Sequence, residues 1–263
     1  MLGPARREII EDLINTQGTV VVSELAERFE LTEETIRKDL KRLEERGALK
    51  RIYGGAVRVN INKEVDVNVR EKLLIDEKEL IGATCARFID TYDTVFFDGS
   101  TTASFVAKAA INKPRTVITN SLIIADIFAM SSRTKLVLVG GNFDPSRKIF
   151  LGKTTEDCLK RYRFNKAFIS CEDIHLQHGL TDANETRALI RRMVIQQAEH
   201  TYLVVDNTKF NGTAPFFIAP LNTISTLVTN KAVSDVWRSE LKQHKIEYVV
   251  AGNSSIGDSY EGE

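Results

Sequence analysis

The side chains suited to chemistry fall in two groups far apart in the chain, one cationic and one of small hydroxyls beside carboxylates. In the first, Thr32, Glu34, Thr35, Arg37, Lys38 and Lys41 lie close together, with Lys50 and Arg51 shortly after. Residues 35–58 hold Arg37, Lys38, Lys41, Arg42, Arg46, Lys50, Arg51 and Arg58 against Asp39, Glu44 and Glu45. Cations at that density neutralise phosphates, and Arg or Lys donates to guanine edges in the major groove. Glu34 reads two ways, because a carboxylate accepts from cytosine N4 and also favours the positive end of a helix. The second group opens with Asp98-Gly99-Ser100-Thr101-Thr102 and continues with Thr119-Asn120-Ser121 and Gly140-Gly141. Where such a turn starts a helix, free amides, hydroxyls and the helix dipole converge on an anion, with phosphate the natural guest. Asp173, Glu185 and Lys209 add carboxylates and an ammonium, a set that fits sugar hydroxyls around one anionic group.

Periodicity supplies the elements that carry these residues. Ile9, Ile10, Leu13 and Ile14 recur at helical spacing, and Gly18 is expected to end that helix. A β-branched run over 19–22 leads to Ser23, read as the cap of a second helix bearing Leu25, Ala26 and Phe29. Thr32 caps a third, with Glu33 and Glu34 at its positive end and Ile36, Leu40 and Leu43 buried. At 100° per residue that burial turns Glu34, Arg37, Lys38 and Lys41 to solvent. Residues 49–57 read as two short strands around Gly54-Gly55, a hairpin carrying Lys50, Arg51 and Arg58 towards a phosphate backbone.

From residue 93 the order becomes strand, small-residue turn, helix, repeated, which predicts a mainly parallel sheet with helices on both faces. Strands over 94–97, 117–119, 136–139, 167–170 and 202–205 each deliver a polar loop at the carboxyl end. The last delivers Asp206, Asn207, Thr208 and Lys209, where Asp206 and Lys209 are read either as site residues or as a surface ion pair. Residues 1–58 form the first domain, 59–78 a linker that turns helical near Asp76, 79–252 the α/β domain and 253–263 a polar tail expected to fray.

Whole-chain composition excludes more than it assigns. Lys plus Arg equals Asp plus Glu at 36 each in 263 residues, so any nucleic-acid surface is local. Cys85, Cys158 and Cys171 are widely spaced and assigned to no disulfide or zinc, and His175, His178, His200 and His244 lack ligand spacing. No cofactor or metal is expected. The first residues lack a signal peptide's apolar core and no run reaches the roughly 18 apolar residues of a membrane span, so a soluble, cytoplasmic protein is expected.

The segment 5–57, with Ser23-Glu24-Leu25-Ala26-Glu27-Arg28-Phe29, Thr32-Glu33-Glu34-Thr35-Ile36-Arg37-Lys38-Asp39-Leu40 and Arg51-Ile52-Tyr53-Gly54-Gly55-Ala56, resembles the winged helix-turn-helix of the DeoR family of bacterial regulators. The resemblance implies that Thr35, Arg37, Lys38 and Lys41 face DNA while Asp39 orients a neighbouring basic side chain. Residues 77–230 resemble that family's sensor domain through Asp98-Gly99-Ser100-Thr101-Thr102, Thr119-Asn120-Ser121, Gly140-Gly141, Gly179-Leu180-Thr181, Asn184-Glu185 and Asp206-Asn207-Thr208-Lys209-Phe210. It implies a fold similar to ribose-5-phosphate isomerase and the binding of phosphorylated sugars. This chain departs from the pattern at Cys171-Glu172-Asp173, where the family places a glycine at the position of Asp173. The partners expected are double-stranded operator DNA, a small phosphorylated sugar and further copies of the chain, with repression of a carbohydrate operon as the leading outcome and activation as the alternative that no sequence feature separates from it. A rival is enediol chemistry by Asp98, Asp173, Asp182, Glu185 and Lys209, an isomerase or deaminase, which turnover of a sugar phosphate would reveal.

Overall fold

The computed structural model describes residues 3–17, 19–58 and 67–252. Two compact units divide it, Met1–Ile75 and Asp76–Glu263. The expected stop at Gly18, the linker over 59–66 and the tail 253–263 lie outside the described residues.

The first unit runs α1 (Gly3–Gln17), β1 (Thr19–Val21), α2 (Val22–Phe29), α3 (Glu33–Glu45), β2 (Leu49–Ile52), β3 (Gly55–Arg58) and α4 (Val67–Lys72). Ile10, Ile14, Leu25, Ile36, Leu40, Leu43 and Leu49 form its core. Thr32 caps α3, its hydroxyl accepting from the Thr35 amide at 3.4 Å. Ser23 does not cap α2. That helix starts two residues earlier than a Ser23 cap would have it, straight off β1, with Val21 at the cap position and no side chain serving it. The strands pair antiparallel in the order β1-β3-β2. Position 55 admits only glycine, since a Cβ there would stand 2.2 Å from the Val20 carbonyl oxygen. Residues 67–72, expected as linker, are helix α4 packed against β1, and Lys72 pairs with Glu24 of α2 at 2.8 Å.

Asp39 is a buried exception on the charged helix. It accepts from Arg6 Nε at 2.6 Å and Arg7 at 2.9 Å, so the basic side chains it orients belong to α1. This pairing fixes α3 against α1 and leaves the other face of α3 for solvent.

The second unit runs α5 (Ile75–Ala86), β4 (Thr94–Phe97), α6 (Thr101–Ala109), β5 (Thr116–Thr119), α7 (Leu122–Ala129), β6 (Lys135–Leu138), β7 (Asn142–Asp144), β8 (Ile149–Leu151) and α8 (Lys153–Leu159). It continues with β9 (Phe164–Ile169), β10 (Asp173–His175), β11 (Gly179–Asp182), α9 (Glu185–Gln197), β12 (Ala198–Val204), β13 (Phe216–Ala219), β14 (Thr226–Thr229), α10 (Asp235–Gln243) and β15 (Glu247–Val250). Seven parallel strands form the central sheet in the order β15-β14-β12-β9-β4-β5-β6. Alternate strand residues feed two cores, as the pleat requires. Phe96, Ala167, Ile169 and Leu203 pack with Leu159, Val194 and Trp237 of α8, α9 and α10. Val95, Phe97, Phe168 and Tyr202 pack with Ile81, Val106 and Phe128 of α5, α6 and α7. Phe97, Phe168 and Tyr202 stack across three strands at 5.5 and 4.7 Å between centroids. A small antiparallel sheet, β10-β11-β13, and the β7-β8 hairpin lie outside the main sheet.

Replacing Asp39 by Ala removes the carboxylate shared by two buried guanidiniums, and the first unit should lose about 3–5 kcal/mol. Scanning calorimetry would show an early, separate transition; a melt identical to wild type would mean that the pair is screened by water.

Candidate nucleic-acid interface and effector rim

On α3 the expected DNA-facing residues share one exposed surface. Glu34, Arg37, Lys38 and Lys41 are exposed, Thr35 is half-buried, and Thr32 is exposed at the cap, with its hydroxyl 3.0 Å from that of Thr35. Arg37 pairs with Glu33 and Lys38 with Glu34 at 3.7 Å, both at i,i+4 spacing. Exposed pairs of this kind hold only about 0.3–0.5 kcal/mol, so phosphates can take either cation from its carboxylate. Lys41 and Lys50 make no ion pair among the described residues. Arg51 is tied to α3, its Nε donating to Glu44 at 2.6 Å and its amide at 2.8 Å, which holds the Glu44 carboxyl below its usual range. The hairpin is thereby braced against α3.

In the second unit the strand order reverses between β4 and β9. The chain winds outward through β5 and β6 on one side and through β12, β14 and β15 on the other. In open parallel sheets, ligands bind outside the carboxyl ends of the strands at that reversal. Asp98 follows β4 there, and its carboxylate takes three donors, the Ser100 amide at 2.9 Å, the Ser170 amide at 3.1 Å and Arg191 Nε at 2.8 Å. Arg191 also donates to Asp182, which accepts in turn from Arg187 at 2.6 Å and the Asn184 amide at 2.9 Å. Asp98, Arg191, Asp182 and Arg187 thus form one buried string of alternating charge that ties the loops after β4, β9 and β11 to α9. The sequence reading assigned Asp98 to a ligand; its carboxylate is engaged in this string.

The remaining expected rim residues divide by what their polar atoms already do. Ser100 and Ser121 cap α6 and α7, accepting from the Ala103 and Ile124 amides. Asn120 binds the β8 backbone, its amide donating to the Phe150 carbonyl at 2.8 Å and its carbonyl accepting from the Phe150 amide at 2.8 Å. Gly141 admits close packing rather than a turn alone, since a Cβ there would lie 2.1 Å from Thr155 Oγ1, whose hydroxyl donates to the Gly140 carbonyl at 2.9 Å. Thr101 and Thr102, at the first turn of α6, are buried, and among the described residues no hydrogen bond engages either hydroxyl. Asp206 and Lys209 are not a pair. Asp206 accepts from the Thr208 amide at 2.9 Å, while Lys209 lies 3.5 Å from Glu172. Glu185 is exposed at the first turn of α9.

Asp173 stands beside Glu172 and Lys209. Burial lifts its carboxyl above the usual carboxylate range, with Lys209 opposing the lift and Glu172 adding to it. Burial likewise pushes the Cys171 thiol up to about 12. Sequence reasoning missed Arg191 and gave Arg187 and Glu172, though both lie in segments it read, no part in the site. For the arginines the signal was present, since they sit at i,i+4 among the buried Ala188, Ile190 and Val194. Among the described residues, no group of three or more His, Cys, Asp or Glu could hold a metal ion, and no helix is long and apolar enough to cross a membrane.

A winged helix-turn-helix with a cationic outer face, followed by a parallel α/β unit with a polar rim, defines a DNA-binding regulator with a small-molecule sensor. Residues 6–62 match the DeoR-like helix-turn-helix domain and residues 74–231 the DeoR C terminal sensor domain. The chain belongs to the DeoR family and is a DNA-binding transcriptional regulator. It is 31% identical over 98% of its length to the uncharacterized HTH-type transcriptional regulator YulB of Bacillus subtilis (strain 168), all of which it covers. It is 30% identical over 86% of its length to 91% of the lactose phosphotransferase system repressor of Streptococcus mutans. These relatives are regulators and not enzymes. Ribose 5 phosphate isomerase A from Neisseria gonorrhoeae superposes on 51% of this chain and 52% of its own with a TM-score of 0.38 and 11% identity, a match too shallow to carry chemistry across.

Two substitutions separate scaffold from site. Asp182→Ala removes the anion shared by Arg187 and Arg191 and leaves Arg191 with Asp98, and should destabilise the second unit by about 3–5 kcal/mol; a wild-type urea midpoint would contradict the buried string. For Asp173 the folded pKa is raised, so its ionised form weakens the fold. That weakening is absent below the ordinary pKa and grows as pH rises through the raised one. Asp173→Asn should raise the neutral-pH melting temperature and flatten its fall between acid and neutral pH; an unchanged slope would refute the assignment.

Proposed function

We propose that this regulator is a cytoplasmic repressor of a carbohydrate-utilisation operon, released from its operator when a phosphorylated sugar occupies the sensor rim. The observation that carries the effector half is the pair of hydroxyls, engaged by no hydrogen bond among the described residues, on the largely buried Thr101 and Thr102 of the first turn of α6, at the strand-order reversal. Helix amides and hydroxyls there receive a phosphate, with Lys209 supplying charge and Asp173 and Glu185 receiving sugar hydroxyls. Ser100, Asn120, Ser121, Gly140 and Gly141 shape the loops around it, and Asp98 braces them. The similarity to a regulator named for repressing a lactose phosphotransferase system supports the carbohydrate link.

On the DNA side, Arg37, Lys38 and Lys41 enter the major groove from α3, with Thr32, Glu34 and Thr35 at its leading turn and Lys50 and Arg51 on the backbone-contacting wing. One small helix-turn-helix binds weakly, so two or more copies of the chain engage repeated or inverted half-sites. An effector that favours the DNA-incompetent state by about 1–3 kcal/mol changes operator affinity roughly 5- to 150-fold.

Arg37→Ala and Lys38→Ala should each weaken binding to the protein's own upstream DNA by at least tenfold in gel shifts, about 1.4 kcal/mol or more. Both should still bind sugar phosphate in calorimetry. Gel-shift affinity unchanged in both variants would remove α3 from the interface.

A further inference from the structure

The ammonium assigned to the effector already has an anion beside it. Lys209 Nζ lies 3.5 Å from Glu172 Oε1, and the lysine side chain is only 18% exposed. The pair lies at the strand-order reversal, since Glu172 follows the carboxyl end of β9 by three residues. Glu172 is held by its backbone, whose amide donates to the Thr181 carbonyl at 3.0 Å. Its main chain is thus fixed at the rim whether or not Lys209 stays. At 3.5 Å the contact is longer than the 2.7–2.9 Å of a tight charged hydrogen bond, so it is of the exchangeable kind.

Lys209 is also the near end of a strap. The next residue, Phe210, bridges to Ile174, and the Asn211 amide donates to the Ile174 carbonyl at 2.8 Å. Asn211, held at a left-handed φ of 66°, accepts from Trp237 Nε1 at 2.9 Å through its side chain, while the Phe210 ring meets the indole edge-on at 5.0 Å. Trp237 is the chain's single tryptophan. A change at Lys209 is two residues from a hydrogen bond to that indole.

We propose that Glu172 is a built-in competitor anion: its carboxylate holds Lys209 in the unliganded regulator, and the effector's phosphate takes the ammonium in exchange, moving the strap that ends on Trp237. The inference rests on the reading of Lys209 as the effector's anion contact. A phosphate carries more charge than a carboxylate and wins the ammonium, but each binding event must first displace Glu172. The displaced carboxylate then faces a like charge, so the bound and unbound straps are two distinct arrangements. Glu172 thereby sets the effector concentration at which the sensor responds.

The test uses the full chain and inorganic phosphate, titrated at constant ionic strength against chloride, with calorimetry and Trp237 emission read together on wild type, Glu172→Gln and Lys209→Met. Glu172→Gln should bind phosphate about two- to fivefold more tightly than wild type. Its unliganded emission should lie nearer that of the phosphate-bound wild type, and Lys209→Met should lose binding. Equal or weaker binding by Glu172→Gln, with Lys209→Met still defective, overturns the competitor and leaves the effector site standing. Undiminished binding by Lys209→Met overturns the site reading itself. Should wild type bind too weakly to measure, detectable binding by Glu172→Gln supports the proposal and silence in both variants defeats it.

Discussion

Four largely buried charges at one point of the sheet set the geometry of the sensor. Asp98, Arg191, Asp182 and Arg187 alternate in sign where the strand order reverses, and each carboxylate is further satisfied by backbone amides. Desolvating such groups is expensive, and it is offset only when every lone pair and proton finds a partner in good geometry. That requirement is a constraint on the loops, because Asp98, the Ser170 amide and Asp182 belong to segments that are remote in sequence. Holding all of them to one helix gives the rim a defined shape before any ligand arrives. The groups left over, the Thr101 and Thr102 hydroxyls and the loosely held Lys209, stand on that rigid frame.

The DNA-binding unit uses the same device on a smaller scale. Asp39 faces inward from an otherwise charged helix and fastens it to Arg6 and Arg7 of α1. A recognition helix must keep its outer face constant while its cations exchange partners, and a buried anchor on the opposite side does this without using the outer face. Glu33 and Glu34 hold Arg37 and Lys38 in the absence of DNA, at little energy and with easy release. Buried pairs therefore position the surfaces and exposed pairs remain exchangeable. The Glu172 contact with Lys209 falls between these extremes, which is what suits it to a switch.

Much of the architecture was legible in the residues because periodicity and caps are local. The buried stripe Ile36, Leu40 and Leu43 and the cap Thr32 determine α3 without any reference to the rest of the chain. Strand runs such as Thr94–Phe97, apolar on both faces, announce a sheet covered by helices on either side. Ser23 misled because a helix can begin directly from a strand, with no hydroxyl at its start. The residues 67–72 were unreadable as helix since six positions carry too little pattern. In the site, types were legible and partners were not. Asp98 reads as a ligand residue until Arg191, 93 positions away, is seen to occupy it. Likewise Lys209 suggested Asp206 as its partner by proximity in sequence, whereas topology supplies Glu172.

The central claim is a thermodynamic link between an anion in the rim and cations in a DNA groove, and linkage is measured by varying both. Binding of the full chain to fragments of its own upstream region should be followed across salt concentrations, with and without a panel of sugar phosphates. The account predicts that the logarithm of affinity falls linearly with the logarithm of salt, and that at least one sugar phosphate weakens binding roughly 5- to 150-fold at fixed salt. Affinity indifferent to salt, or salt-sensitive binding that no sugar phosphate alters, would contradict it.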